Sequence, residues 1–117
     1  MTINERTSGD ITVLDVEGSL FGGDGTQLLK DKVNSLVVQQ RTRVLINLGN
    51  VPYIDSAGLG ELCSCLTTIS KANGILKLAN VTRKNKDLLS ITRLATVFDT
   101  FDSEADAIGS FSPVAGA

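Results

Sequence analysis

Histidine and tryptophan are absent from this 117-residue chain, and aromatic side chains are few, with four Phe and one Tyr. Without histidine, the Ser-His-Asp arrangement of serine hydrolases is excluded, as is a zinc site built on imidazole ligands. The two cysteines, Cys63 and Cys65, lie too close together on one helix for an ordinary disulfide, and no second pair completes a metal site. We expect both thiols to lie in or near the core, and we predict no metal and no cofactor.

Long apolar runs and an excess of positive charge are also missing. No stretch approaches the roughly 18 apolar residues of a membrane-spanning helix, and residues 1–6 lack the basic start and apolar core of a signal peptide. The formal net charge is −2, whereas nucleic-acid-binding proteins usually concentrate Lys and Arg on one surface. The basic cluster at residues 83–86 has no interleaved aromatics and is interpreted as a solvated helix face. The sequence thus predicts a cytoplasmic protein with no membrane span and no direct contact with nucleic acid.

Strand and helix patterns alternate regularly along the chain. Predicted strands cover residues 1–6, 11–16, 44–48, 75–79 and 97–101, and a last helix covers residues 104–111. Three further helices are marked by apolar stripes: Leu28, Leu29, Val33, Leu36 and Val37; Leu59, Leu62, Cys63, Leu66 and Ile69; and Leu88, Leu89, Ile91 and Leu94. This alternation predicts an α/β fold, with a mainly parallel mixed sheet of about four or five strands and about four helices chiefly on one face. We expect a single domain over residues 1–117, of which residues 112–117 form a loose tail.

The second predicted helix begins near Asp55 or Ser56, directly after the central strand. At a helix start the first backbone N–H groups lack intrahelical partners and the macrodipole is positive, so a phosphate on Ser56 would be stabilised there. Asp and Ser are also the residues of an ordinary N-cap, and capping alone is the simpler interpretation. Gly58 and Gly60 favour a functional role, because glycine costs about 1 kcal/mol inside a helix and small residues let another backbone approach closely.

Two segments resemble catalytic or nucleotide-binding motifs, but each lacks residues that the motif requires. Residues 56–58 form half of a nucleophile elbow, but Ile54 stands where the leading glycine would be, and no histidine is present to act as the base. The loop at residues 22–25 precedes a helix yet lacks the Lys and the Ser or Thr of a P-loop. We therefore predict a binding protein and not an enzyme.

At residues 55–60 the chain resembles the STAS domains, and within them the bacterial anti-sigma factor antagonists. The motif that carries the resemblance reads Asp55, Ser56, Ala57, Gly58, Leu59 and Gly60. In that family the serine after the aspartate is phosphorylated by a partner that is both anti-sigma factor and kinase, which implies Ser56 as the phosphorylation site. Many relatives carry a second hydroxyl residue next, so Ala57 leaves one candidate in the motif. The order of elements extends the resemblance from about residue 11 to residue 111.

One segment departs from the family pattern. Antagonists of this type often have Gly-Glu-Leu-Asp after the second strand, whereas this chain has Gly18, Ser19, Leu20 and Phe21. The acidic residue that would face the partner is therefore missing. Asp24, a few residues on, either replaces it in space or is an ordinary helix cap before the first apolar stripe.

The resemblance implies an anti-sigma factor antagonist that regulates transcription by partner switching. Unphosphorylated, it would bind an anti-sigma factor with serine kinase activity through Asp24 and residues 55–60. Phosphorylation of Ser56 would release it, and a phosphatase would reverse the modification. Two alternatives stay open. One is a STAS module that regulates a transporter or a stress-signalling scaffold, and the other is a nucleotide- or small-ligand-binding domain built on the loop at residues 22–25.

Overall fold

The computed structural model describes residues 1–111, apart from the side chains of Asp24 and Ala95, and shows a five-stranded sheet flanked by helices. The strands are β1 (Thr2–Ser8), β2 (Ile11–Glu17), β3 (Arg43–Asn50), β4 (Ile75–Ala79) and β5 (Thr100–Phe101). The helices are α1 (Asp24–Val38), α2 (Ser56–Lys71), α3 (Arg83–Ile91) and α4 (Glu104–Ser110), with a short 3-10 turn, Leu94–Thr96, before β5. The predicted tail at residues 112–117 lies outside the described residues.

The strands stand side by side in their sequence order, β1-β2-β3-β4-β5. β1 is antiparallel to β2, with Thr2 opposite Glu17 and Ser8 opposite Ile11, and the other three neighbouring pairs are parallel. The parallel pairs need crossover connections, which α1, α2 and α3 supply. The predicted α/β domain with a mainly parallel mixed sheet is confirmed.

Side chains that alternate along β3 divide the core into two layers. Val44, Ile46 and Leu48 belong to the larger layer, where they pack with residues of α1, α2 and α3. Leu45 belongs to the smaller layer on the other face, together with Ala107 of α4. Among the described helices, three therefore cover one face and one covers the other, as the predicted arrangement requires.

The strand predicted over residues 97–101 is shorter than expected, because β5 contains Thr100–Phe101 alone. The chain reaches it through the Leu94–Thr96 turn, whose preceding residue, Arg93, adopts a left-handed conformation with φ 62°. Phe98 is buried in the larger core layer although it lies outside the strand, and its neighbour Val97 is exposed. A short apolar run indicates burial correctly here but does not distinguish a packed turn from a paired strand.

In α1 and α2, single residues differ in burial from what the apolar stripes predict. In α1, Leu28 is exposed, and in α2 the core thiol is Cys65, at 2% exposure, whereas Cys63 is half-buried. Cys63 nevertheless packs against the larger core layer, so the expectation that both thiols lie in or near the core is confirmed. At about 100° per residue, Cys65 lies nearer than Cys63 to the direction of Leu62 and Ile69, which are fully buried. Burial raises the pKa of the Cys65 thiol, which disfavours the reactive thiolate.

A polar ladder crosses the face of the sheet that carries α4. Asn47 on β3 donates from Nδ2 to Oδ1 of Asp15 on β2 at 2.9 Å, and Asn80 donates to Oδ1 of Asn47 at 3.1 Å. Arg6 on β1 donates to Oδ1 of Asp15 at 2.9 Å. The hydrogen bond from Arg6, assisted by the one from Asn47, lowers the pKa of the Asp15 carboxyl. The ladder thus links β1, β2, β3 and the end of β4.

Candidate functional site

The loops that follow β2 and β3 run side by side at the carboxyl edge of the sheet. The Gly18 N–H donates to the Asn50 carbonyl at 3.0 Å, and the Leu20 N–H donates to the Tyr53 carbonyl at 2.8 Å. Leu20 and Ile54 form an isolated parallel bridge. Open α/β sheets build their binding sites at this edge, and here the start of α2 rests on two loops that main-chain bonds hold together.

Asp55 ties both loops to the start of α2. It is the N-cap residue, and its Oδ1 accepts a hydrogen bond from the Gly58 N–H at 2.7 Å. Its Oδ2 accepts from the Gly22 N–H at 3.2 Å, and its own N–H donates to the Leu20 carbonyl at 3.2 Å. Asp55 is thus the cap that the sequence predicts, while its contact with a partner stays a prediction.

Ser56 is the first residue of α2, and its side chain is exposed. Ala57 and Gly60 are exposed beside it. The first N–H groups of a helix have no intrahelical acceptor, and the positive end of the helix dipole adds to their attraction for anions. A negatively charged group on this hydroxyl would therefore be accessible and stabilised, and phosphorylation of Ser56 stays a prediction.

Two residues expected to contact a partner face the interior instead. Leu59 packs in the larger core layer, and Gly58 is covered by the loop that follows β2. A Cβ atom on Gly58 would lie 2.1 Å from the carbonyl oxygen of Leu20, so the backbone that approaches this glycine is the chain's own. A Cβ atom on Gly60 would meet nothing within 4 Å. The surface that the motif offers to a partner therefore consists of Ser56, Ala57 and Gly60.

The start of α1 lies close to the start of α2. A Cβ atom added to Gly22 would lie 2.9 Å from Cβ of Ala57. The N-cap of α1 is Gly23, with φ 88° and no side-chain capping bond, so the interpretation of Asp24 as an ordinary cap is wrong. The side chain of Asp24 lies outside the described part of the structure, and its contact with a partner stays a prediction.

Exposed apolar side chains surround this helix start. Phe21 and Tyr53 are each 49% exposed. A groove of about 310 Å³ separates Tyr53 from the side of α3, and its other lining residues include Ile54, Lys84, Leu88 and Ile91. Nζ of Lys84 lies 3.7 Å from the centroid of the Tyr53 ring, within the range of a cation–π interaction. Sequence reasoning missed this groove, because its two walls are separated by thirty residues or so in the chain and no local pattern joins them.

Asn85 holds α3 against these loops. Its side chain is 2% exposed, and Nδ2 donates to the carbonyl of Val51 at 2.9 Å. Arg83 and Lys84 are exposed, so the interpretation of residues 83–86 as a solvated face is right for these two cations and wrong for Asn85. No local pattern marks this contact, because the carbonyl that Asn85 binds lies 34 positions away in the chain.

Another cavity, of about 400 Å³, lies at the opposite, amino edge of the sheet. Two arginines in its lining are engaged within the chain: Arg41 pairs with Glu5 at 2.7 Å, and Arg43 pairs with Asp10 at 2.8 Å. This cavity does not share a lining residue with the groove beside Tyr53. It is therefore not part of the site around Ser56.

Neither a metal site nor a membrane span is found in the part of the chain that the structure describes. Among residues 1–111, no group of three or more His, Cys, Asp or Glu residues is arranged to hold a metal ion. The helices that the structure describes are all too short or too polar to cross a bilayer.

Known proteins share this architecture. The STAS domain family model matches residues 2–107. A Thermotoga maritima protein proposed to be an anti-sigma factor antagonist has a TM-score of 0.85 at 23% identity, over 92% of this chain and 92% of that one. The Bacillus cell fate determinant SpoIIAA in its phosphorylated form has a TM-score of 0.72 at 16% identity, over 92% and 97%. A sulfate transporter family protein from Wolinella succinogenes has a TM-score of 0.71 at 16% identity, over 89% and 86%.

At identities of 16–23%, the three solved structures demonstrate a shared fold and not a shared function. Their descriptions name an anti-sigma factor antagonist, a cell fate determinant and a sulfate transporter family protein. The family model adds a sequence match that spans nearly all of the described residues, including both loops and the start of α2. The chain belongs to the STAS domain family.

Proposed function

We propose that this STAS domain is an anti-sigma factor antagonist whose binding to its partner is controlled by phosphorylation of Ser56. The observation that carries the proposal is the exposed hydroxyl at the first position of α2, presented by a loop that Asp55 fixes through three hydrogen bonds. A helix start of this kind accommodates a phosphate without rearrangement, since its N–H groups and dipole favour negative charge.

The partner is an anti-sigma factor that is also a serine kinase. Unphosphorylated, the domain binds this kinase through the surface around Ser56 and releases the sigma factor, so that transcription is activated. The kinase phosphorylates Ser56 and frees itself, and a phosphatase restores the binding form. The domain itself acts as a binding module in the cytoplasm and catalyses none of these steps. Two solved structures support this role, both of SpoIIAA: one is described as an anti-sigma factor antagonist in its unphosphorylated form, and the other is described in its phosphorylated form.

Electrostatics supplies the switch. Phosphorylation adds about −1.5 to −2 charges at neutral pH, and Ser56 already lies beside the Asp55 carboxylate at the surface that the partner covers. A bound partner would have to desolvate or repel that charge. A penalty of about 2.8 kcal/mol is sufficient to weaken binding roughly a hundredfold.

The switch requires no refolding. Asp55, Leu20 and Gly22 are joined by bonds that do not use the Ser56 side chain. The phosphate would therefore change the charge of a preformed surface while the two loops keep their positions.

The test compares Ser56→Ala and Ser56→Asp as tagged baits in lysate of the native organism, with bound proteins identified by mass spectrometry. We expect wild type and Ser56→Ala to retain an ATP-dependent kinase and Ser56→Asp to lose it. Ser64→Asp is the matched control, because it adds the same charge to an exposed serine of the same helix, away from its start. Equal retention by Ser56→Ala and Ser56→Asp would exclude the electrostatic switch, and circular dichroism of each variant would show that its fold is intact.

A second candidate is a STAS module that regulates a transporter or a signalling scaffold. Phe21 favours it, because this half-exposed aromatic side chain stands where antagonists often have an acidic residue, and one structural neighbour belongs to the sulfate transporter family. Retention of the same non-kinase protein by wild type, Ser56→Ala and Ser56→Asp would support this candidate. The nucleotide-binding alternative rests on the loop at residues 22–25, which leads into the start of α1. A rise in melting temperature with ATP or GTP would support it.

A further inference from the structure

The exposed residues of the Ser56 motif are too small to hold a partner alone. Ser56, Ala57 and Gly60 present little side-chain area, and the larger Leu59 is buried in the core. A stable, specific interface covers about 800 Å² on each partner, and a few large side chains usually carry most of its binding energy. A partner bound at Ser56 must therefore also cover larger side chains nearby.

Exposed aromatic rings are concentrated at this edge of the molecule. Of the five aromatic side chains, Phe98 and Phe111 are buried and Phe101 is half-buried, whereas Phe21 and Tyr53 are half-exposed. The two exposed rings belong to the paired loops that carry the start of α2. Aromatic side chains are enriched among the residues that dominate interface energetics.

The groove beside Tyr53 has the features of an anchoring pocket. Its volume is about 310 Å³, and Ile91 stands on its far wall with 80% of its surface exposed. The bond from Asn85 to the Val51 carbonyl fixes the distance between α3 and the loop, so the groove exists before a partner arrives. Ile91 therefore adds exposed apolar area to a groove that Tyr53 and Leu88 also line. Exposed apolar area of this kind is typical of a protein-binding surface.

The charge around the groove points to the chemistry of the partner segment. Nζ of Lys84 lies over the Tyr53 ring, and Arg83 beside it in the chain is exposed. Asp87 also lines the groove, on the next turn of α3. The side of α3 that faces the groove thus presents one cation, Lys84, followed by one carboxylate, Asp87. Lys84 is exposed, so it can pair with an acidic residue of a partner.

We propose that this groove anchors the partner at the Ser56 surface: the anti-sigma factor kinase inserts an apolar side chain between Tyr53 and Ile91 and places an adjacent acidic residue on Lys84. The inference rests on the proposed function and assigns separate contributions to two parts of the interface. The groove supplies affinity, and Ser56 supplies control. Because phosphate and groove occupy neighbouring parts of one surface, the added negative charge also opposes the approach of the partner's acidic residue.

The test measures binding of the purified kinase, identified with the Ser56→Ala bait, to immobilised domain variants by biolayer interferometry. Ile91→Lys is expected to weaken binding at least tenfold, and Lys84→Glu at least fivefold. Val38→Lys is the matched control, because Val38 is also an exposed apolar residue of a helix, 84% exposed, at the end of α1 away from Ser56. It is expected to bind within twofold of wild type.

The outcomes separate this inference from the proposed function. If wild type binds the kinase and Ile91→Lys binds it equally well, the groove is not the anchor, although the Ser56 switch can still hold. If wild type does not bind the kinase, both proposals fail together. If the isolated domain sediments as a dimer that Ile91→Lys converts to a monomer, a second copy of the chain occupies the groove and the kinase assignment is overturned.

Discussion

Gly58 and Gly60 lie two residues apart in α2, yet we expect alanine to have opposite effects at the two positions. A Cβ atom at Gly58 would lie 2.1 Å from the Leu20 carbonyl oxygen, whereas one at Gly60 would meet nothing within 4 Å. Alanine is favoured over glycine inside a helix by about 0.5–1 kcal/mol. Gly60→Ala should therefore raise the free energy of unfolding by about that amount.

The cost at Gly58 follows from what must move. Ordinary contact begins at about 3.4 Å, so the Leu20 carbonyl would have to retreat by about 1.3 Å. That carbonyl accepts the Asp55 N–H, and the Leu20 N–H donates to Tyr53. Overpacking costs about 1–3 kcal/mol, and a lost main-chain bond costs about 1 kcal/mol more. After the helical gain is subtracted, Gly58→Ala should lower the free energy of unfolding by about 2 kcal/mol.

Urea unfolding followed by far-ultraviolet circular dichroism measures both changes. The urea concentration at the midpoint of unfolding should rise for Gly60→Ala and fall for Gly58→Ala. The slope of the free energy of unfolding against urea concentration should not change. If Gly58→Ala stabilised the protein as much as Gly60→Ala, the loop after β2 would not press on α2. Close approach of the Leu20 carbonyl would then be refuted as the reason for a glycine at position 58.

Three further predictions concern buried and paired groups. Asn85→Ala should destabilise the fold by about 1–3 kcal/mol in the same urea assay, because it leaves a buried main-chain carbonyl without its donor. The Asp15 pKa is lowered in the folded state, so its stabilising contribution is present above its unfolded pKa and is lost as pH falls through the folded value. Asp15→Asn should therefore make stability less steep in pH below about pH 4, with a loss of at most about 1 kcal/mol at neutral pH. Burial raises the pKa of both thiols, and a thiol-specific reagent should modify native Cys63 slowly and Cys65 more slowly still, with both reacting at once after unfolding. Faster reaction at Cys65 would contradict its burial.

The elements of the fold could be predicted because each depends on residues near in sequence. Apolar spacing predicts α2, and the Asp55 and Ser56 pair predicts its start, which the structure confirms. Which face of a helix is buried most deeply is harder to predict from the sequence. In α2, for example, Cys63 and Cys65 both lie near the apolar stripe. Which of the two is buried depends on the sheet beneath the helix.

Contacts between distant segments explain what the sequence did not reveal. Nothing local to Gly58 shows that the Leu20 carbonyl occupies the space of its missing side chain. Likewise, Asn85 is an ordinary helix residue until Val51 is seen beside it. The groove between Tyr53 and α3 depends on the same long-range packing, so a motif-based description of the site ends at Ser56 and misses the surface next to it.

The order of the strands in the sheet, β1 to β5, also describes how the chain can assemble while it is being synthesised. Synthesis delivers a chain from its N-terminus, and here each strand pairs with the strand that emerged just before it. No strand has to open a finished pair and insert itself. The cost is that the newest strand of a nascent chain has a free edge, first on β2, then on β3, then on β4, and free edges are where unintended pairing between chains begins. Thr100 and Phe101 of β5 cover part of the β4 edge, opposite Leu78 and Ala79. A stalled or truncated chain that stops before Thr100 would therefore leave the whole of that edge open to pairing with another chain.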